Sequence, residues 1–222
     1  MHTLVITAHP EAGSYTHAVA KQVVAGIKAT PDHTYELLDL IESGFDPTFN
    51  EADYSVFRSG EKPGPDILAE QARIDRADTL VLVFPVYWWS MPALLKGWID
   101  RVFTQGWAYV DHDGHATTRL LGKLKVQIIA IGGAVRETYE RRGYLQAIQT
   151  QIDHGVFGYV GARIIGSELL VPLDPASAEA GLKLALDIGK GLFNAVLQSD
   201  GEAVTRSSSE QRCGMEMVCK ET

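Results

Sequence analysis

The sequence predicts an α/β protein built on a doubly wound, five-stranded parallel sheet with helices on both faces. Residues 79–84 (TLVLVF) are continuously apolar, as expected of a strand buried on both faces of a parallel sheet. Apolar runs of strand length alternate with helix-spaced segments along the chain, which is the rhythm of βα units. The 222 residues suffice for one domain with a single sizeable core.

The first strand is expected over 3–8 and the first helix over 14–29, where Ala18, Val19, Val23, Val24 and Ile27 recur at helical spacing. A second strand over 35–39 leads into residues 41–65, rich in Gly and Pro, which read as a long surface loop of the kind that is commonly functional or mobile. A helix over 66–75 precedes the apolar strand, which Pro85 closes because proline has no N–H for the ladder. Pro92 suits the first turn of a helix reaching residue 104, with Leu95, Trp98, Ile99 and Val102 on one stripe. Strands over 125–131 and 162–170 then alternate with helices over 140–153 and 177–197. Residues 1–198 make one domain, and 199–222 form a polar, flexible tail.

Composition excludes several classes. The formal net charge is -8, with acidic and basic residues interspersed, so nucleic acid is not an expected partner. The longest apolar stretch, about ten residues and broken by Pro85, falls short of the roughly 20 a membrane-spanning helix needs. Residue 3 already begins a strand, with no charged and apolar leader before it, and the cytoplasm is the expected compartment. Cys213 and Cys219 sit in the tail, where two thiols alone do not complete a zinc site. Asp111-His112-Asp113-Gly114-His115 carries ligand-type side chains but reads as a turn around Asp-Gly, and no metal is assigned. There is no G-x-S-x-G elbow, no G-x-G-x-x-G and no phosphate loop ending in G-K-[ST], so no serine nucleophile, dinucleotide fingerprint or triphosphate loop is expected.

Three connections carry the candidate chemistry. Pro85-Val86-Tyr87-Trp88-Trp89 puts an aromatic loop at the carboxyl end of a buried strand, the edge where open α/β sheets bind ligands; so much aromatic surface suits a flat, apolar partner such as a flavin ring. The turn His9-Pro10-Glu11-Ala12-Gly13-Ser14-Tyr15-Thr16-His17 opens the first helix, whose free N–H groups suit a phosphate; a plain helix cap at Ser14 is the alternative. Ala130-Ile131-Gly132-Gly133 runs a strand into two glycines, which let backbone approach a planar ligand and aim N–H groups at its edge. Trp107-Ala108-Tyr109 and Tyr139 are further aromatic candidates.

Together with Pro65-Asp66-Ile67-Leu68-Ala69-Glu70-Gln71 and Pro92-Ala93-Leu94-Leu95-Lys96-Gly97-Trp98, these motifs resemble the NAD(P)H quinone oxidoreductases of the flavodoxin-like group. They also resemble the ancillary oxidoreductase subunits of glutathione-gated potassium efflux systems. The resemblance implies a flavodoxin-like sheet of order 2-1-3-4-5 and FAD as cofactor, with FMN the alternative. It implies two-electron transfer from NAD(P)H to a quinone or similar acceptor by a ping-pong mechanism, in a homodimer. The competing reading is a regulatory flavoprotein subunit of a membrane transporter. By the same resemblance His9, Ser14, Tyr15 and Thr16 hold the flavin phosphates and Gln71 reaches its ribityl or ribose region. Pro85, Val86, Tyr87, Trp88 and Trp89 border the ring with Ala130, Ile131, Gly132 and Gly133. Ala108 and Tyr109 line the substrate slot, often from the second subunit, with Trp107 an aromatic candidate beside them; Tyr139 is the expected catalytic residue, with Tyr144 or water as the alternative proton source. The chain departs from the family in having Ala130-Ile131 where Thr-Thr is common, and in having no histidine shortly after Tyr139.

Overall fold

All seven residues of the central strand, Thr79–Pro85, are buried, and the rest of the fold is arranged around them. In a computed structural model of the chain, residues 1–112 and 116–193 are described. The elements run β1 (His2–Thr7), α1 (Tyr15–Lys28), β2 (Thr34–Asp39), α2 (Glu51–Ser59), α3 (Pro65–Asp75), β3 (Thr79–Pro85), α4 (Ala93–Val102), β4 (Tyr109–Val110) and β5 (Thr118–Arg119). They continue through β6 (Lys125–Ile131), α5 (Arg136–Arg141), α6 (Tyr144–Ile148), a π-helical segment Gln149–Gly158, β7 (Arg163–Leu170) and α7 (Pro175–Gly191). The main sheet has the order β2-β1-β3-β6-β7, and every neighbouring pair is parallel. Counted by its five strands this is 2-1-3-4-5, the flavodoxin-like order.

Alternate residues of the strands feed two cores. Leu4, Ile6, Leu80, Leu82 and Phe84 pack with Leu95, Trp98 and Val102 of α4 on one face; Val5, Val81, Val83 and Ile129 pack with Val19, Val23 and Ile27 of α1 on the other. On that second face α1 and α7 touch backbone to backbone. A Cβ on Gly26 would lie 2.2 Å from the Leu186 carbonyl oxygen, and one on Gly189 would lie 2.1 Å from that of Val23.

The structure corrects three expectations and adds one short hairpin. The stretch 41–65 is not all loop: it holds α2, which has a reciprocal Asn50–Asp53 capping box and a left-handed Gly60 stop. The helix expected over 140–153 is broken, because Gly143 takes φ 72° between α5 and α6 and the chain then widens into π-helical turns. Tyr109–Val110 pairs with Thr118–Arg119 as a short hairpin. The last helix starts earlier, at Pro175, behind an Asp174–Ser177 capping box, and runs to Gly191. Its expected end at 194–197, the tail 199–222 with Cys213 and Cys219, and the turn residues Asp113, Gly114 and His115 lie outside the described residues. No described helix is long and apolar enough to cross a membrane.

Candidate active site

Strands β1, β3 and β6 are adjacent and in parallel register, Thr7 beside Val83 and Pro85 beside Ile131. The three candidate loops therefore leave the sheet side by side at its carboxyl edge, where the strand order reverses. Backbone bonds extend the pairing into two of them: Val86 N–H donates to the Ile131 carbonyl at 2.8 Å and Gly132 N–H to that of Leu170 at 2.7 Å.

After β3 the chain makes a tight reversal. Tyr87 and Ser90 exchange two backbone hydrogen bonds, at 2.9 and 3.0 Å, leaving Trp88 and Trp89 as the central pair at φ 48° and 62°. Two-residue turns with both central φ positive favour Asn-Gly, and a bulky residue held there stores about 1–3 kcal/mol. Trp88 is 94% exposed. Trp89 stacks on Tyr144 with ring centroids 3.7 Å apart and meets Tyr139 edge-on at 5.4 Å. The Ser90 hydroxyl donates to Gln151 of the π-helical segment, bracing the turn from below.

Val86, Trp88, Trp89, Gly133, Ala134 and Tyr139 line a cleft of about 240 Å³. Gly133 is open on the Cβ side, with nothing within 4 Å, whereas a Cβ on Gly132 would stand 2.7 Å from the Tyr139 hydroxyl. Burial pushes that hydroxyl above the ordinary tyrosine value, and the backbone N–H groups of Gly133 and Ala134 work against the rise. Ala130 and Ile131 are buried beneath, at the end of β6.

On the neighbouring strand, Ser14 caps α1, its oxygen accepting from His17 N–H at 3.4 Å. The Tyr15 and Thr16 N–H groups are first-turn donors with no acceptor inside the helix. His9 Nδ1 accepts from Glu11 N–H at 3.1 Å, which leaves Nε2 as the ring's donor. First-turn amides, an added hydroxyl, a glycine floor without Cβ atoms and an aromatic wall are what a phosphate-bearing planar cofactor requires.

The model of the flavodoxin-like fold family matches residues 1–187. The chain belongs to this family. An NAD(P)H oxidoreductase of Haemophilus influenzae is 29% identical over 202 residues, 89% of this chain and 98% of that protein. The solved NAD(P)H:quinone oxidoreductase of Methanothermobacter marburgensis superposes with a TM-score of 0.79 at 28% identity, covering 86% of this chain and 96% of its own. General stress protein 14 of Treponema denticola, solved in complex with FMN, gives a TM-score of 0.60 at 25% identity over 86% of this chain and 99% of its own. With these relatives, this flavodoxin-like chain is an enzyme of the oxidoreductase class.

Other expected residues of this flavodoxin-like site have structural duties. The Tyr15 ring turns away from the helix mouth, its hydroxyl donating to the Ala178 carbonyl at 2.7 Å. Only its backbone is left to face a phosphate. Thr16 is buried. Gln71 is also buried, its amide nitrogen donating to the Val102 carbonyl and the Thr104 hydroxyl, both at 2.9 Å; any contact with a ribityl chain falls to its oxygen. Trp107 donates to Asp75 at 3.1 Å and Ala108 is fully buried. Tyr109 lines a separate cavity of about 50 Å³ with Phe49, Phe57 and Arg101. Within one chain these three residues do not join the Trp88–Tyr139 cleft.

Three features escaped the sequence reading. Arg101, 6% exposed, reaches Asp53 at 2.7 Å, Asp66 at 2.9 Å and the Asp46 carbonyl at 2.8 Å, pinning residues 46–66 to α4. Tyr144, expected only as an alternative proton source, stacks on Trp89. His17 joins Ser14 to Asp39, at 2.9 and 2.7 Å, an in-line serine, histidine and aspartate that no motif announced. The available signals were Ser14 and His17 three residues apart at a helix start, and Asp39 at the end of the strand next to β1.

Proposed function

We propose that the chain is a flavin-dependent NAD(P)H oxidoreductase that passes two electrons to a quinone or similar small acceptor. The convergence of the three loops at one sheet edge carries this reading: helix N–H groups for phosphate, an open glycine beside a flat aromatic wall, and a buried tyrosine between them. The names of the H. influenzae and M. marburgensis relatives supply the donor and acceptor classes. A bound flavin would supply the hydride-accepting ring.

The chain's own residues would do the rest. Ser14, the Tyr15 and Thr16 amides and His9 would seat the phosphates; Pro85, Val86, Tyr87 and Trp89 would border the ring with Ala130–Gly133. Trp88 and Tyr139 would face the incoming donor and acceptor in turn. Holding each flat against the ring supplies most of the acceleration in such transfers. Tyr139, kept neutral by burial, would steady charge or hand a proton at the ring edge.

FAD is the preferred form because His9 would give a second phosphate contact beside Ser14; the FMN-bound relative makes FMN the competing outcome. A homodimer is part of the proposal: Tyr109, which lies apart from the Trp88–Tyr139 cleft of its own chain, would reach the substrate slot of a second copy. The cytoplasm is the proposed compartment. One cleft serving both substrates gives ping-pong kinetics, so initial rates with NADH or NADPH against a benzoquinone should yield parallel double-reciprocal lines. Intersecting lines from a compulsory ternary complex, or no turnover with flavin bound, would overturn the proposal.

A further inference from the structure

Asp39 closes β2, where its Oδ1 accepts the Ile41 and Glu42 N–H groups at 2.9 and 3.4 Å, which fixes the carboxylate. Its Oδ2 lies 2.7 Å from His17 Nε2, and His17 Nδ1 lies 2.9 Å from Ser14 Oγ. The histidine is 9% exposed. A carboxylate only accepts hydrogen bonds, so Nε2 holds a hydrogen. In the neutral ring Nδ1 is then an acceptor, and the Ser14 hydroxyl must turn its hydrogen inward, away from the mouth of α1. A second proton on the ring reverses this bond: Nδ1–H donates to Oγ, and the Ser14 hydrogen is freed to point outward.

We infer that His17 is a positioning residue that takes up a proton when the cofactor's phosphate groups seat on the start of α1, turning the Ser14 hydroxyl toward them. The inference rests on the flavin reading above. One proton passes from solvent to Nδ1, and no bond to the cofactor is made or broken. Asp39 balances the new charge on the far side of the ring, while the ring itself adds positive charge behind the phosphates. Among the described residues His9 also faces it, its ring centroid 6.2 Å away, edge-on. His9 Nδ1 is already occupied by the Glu11 N–H, and a proton there would break that bond.

Calorimetric titration of the apoprotein with FAD near neutral pH, in two buffers of different ionisation enthalpy, counts the protons bound per cofactor. FAD is the probe because its diphosphate does not titrate there, unlike a phosphate monoester with a second pKa of about 6; riboflavin is the phosphate-free control. Expected are proton uptake with FAD and none with riboflavin, and FAD affinity that falls as the pH rises, by at most about tenfold per unit. His17→Gln should abolish both the uptake and the pH slope, and Asp39→Asn should reduce them. FAD binding without proton uptake, or uptake that persists in His17→Gln, overturns the inference. Failure of both FAD and riboflavin to bind overturns the flavin reading, and this inference with it. Should His17→Gln not fold, the His17 ring resonances of the unaltered protein with and without FAD decide the same point: a change to the protonated form supports it, and no change overturns it.

Discussion

The Tyr139 hydroxyl rests against the bare Cα of Gly132, so close that a Cβ there would stand 2.7 Å away. Next door, Gly133 faces open space. Two adjacent glycines thus have opposite duties, one admitting a tyrosine and the other leaving room over the cleft. Gly132→Ala should cost about 1–3 kcal/mol through overpacking and displace Tyr139. Gly133→Ala should leave stability within about 0.5 kcal/mol yet weaken flavin binding. Denaturant unfolding and flavin titration of both variants check the contrast; equal effects at the two positions would contradict it.

Burial raises the Tyr139 hydroxyl above its ordinary value, so it is neutral at working pH. The sign follows: its stabilising contribution is complete below the unfolded value of about 10 and is lost as pH rises through the folded one. Tyr139→Phe should therefore flatten the loss of stability in alkali. If this hydroxyl moves a proton in the reaction, the variant should retain flavin while turnover falls by about 10²–10⁴. A pH–rate profile of the unaltered protein should show no break from this group below about pH 10. Full turnover in Tyr139→Phe would assign the proton to water or to Tyr144.

Trp88 combines a left-handed backbone with almost complete exposure, a combination that does nothing for the fold. Trp88→Asn suits the turn better and should raise stability by about 1 kcal/mol. The same change removes one wall of the cleft, so the KM for NAD(P)H or quinone should rise. Thermal unfolding and steady-state kinetics read the two effects separately; lower stability with unchanged KM would mean that the ring serves packing.

Arg101 and Asp53 are both nearly buried. Arg101→Met would leave the Asp53 carboxylate without its ion-pair partner, at a cost of about 3–5 kcal/mol, and residues 46–66 should become more open to limited proteolysis. Adding Asp53→Leu should recover much of the loss, because an apolar pair replaces an orphaned charge. Denaturation midpoints of the single and double variants test this, and a double variant no better than the single one would contradict it.

The sheet was legible because its inner strands are predominantly apolar, and residues 79–85 needed no periodicity to be read. Helix α2 was hidden because only Asp53 and Val56 on it are buried, so it has no apolar stripe; its signs were polar, Asn50 with Asp53 and then Gly60. The split at Gly143 turns on one left-handed residue that an apolar pattern does not reveal. At the site, the aromatic and glycine loops could be read locally, and the sheet order brings Val86, Trp88, Trp89, Gly133 and Tyr139 into one cleft. The expected sheet order already put β2 beside β1, but that Asp39 rather than another polar residue of that strand end reaches His17 depends on side-chain direction, which the sequence does not carry. Sequence adjacency was misleading for Tyr15, whose ring packs under α7 although its neighbours face the helix mouth.

The most direct measurement is titration of apoprotein with FAD and, separately, FMN, followed by quenching of tryptophan fluorescence, since Trp88 and Trp89 flank the cleft. Saturable uptake of one flavin per chain, impaired when Gly133 is replaced by valine in a variant that still unfolds like the parent, is the expected result. Absence of quenching with either flavin in a folded apoprotein, or uptake indifferent to a side chain at Gly133, would contradict a flavin site at this edge of the sheet.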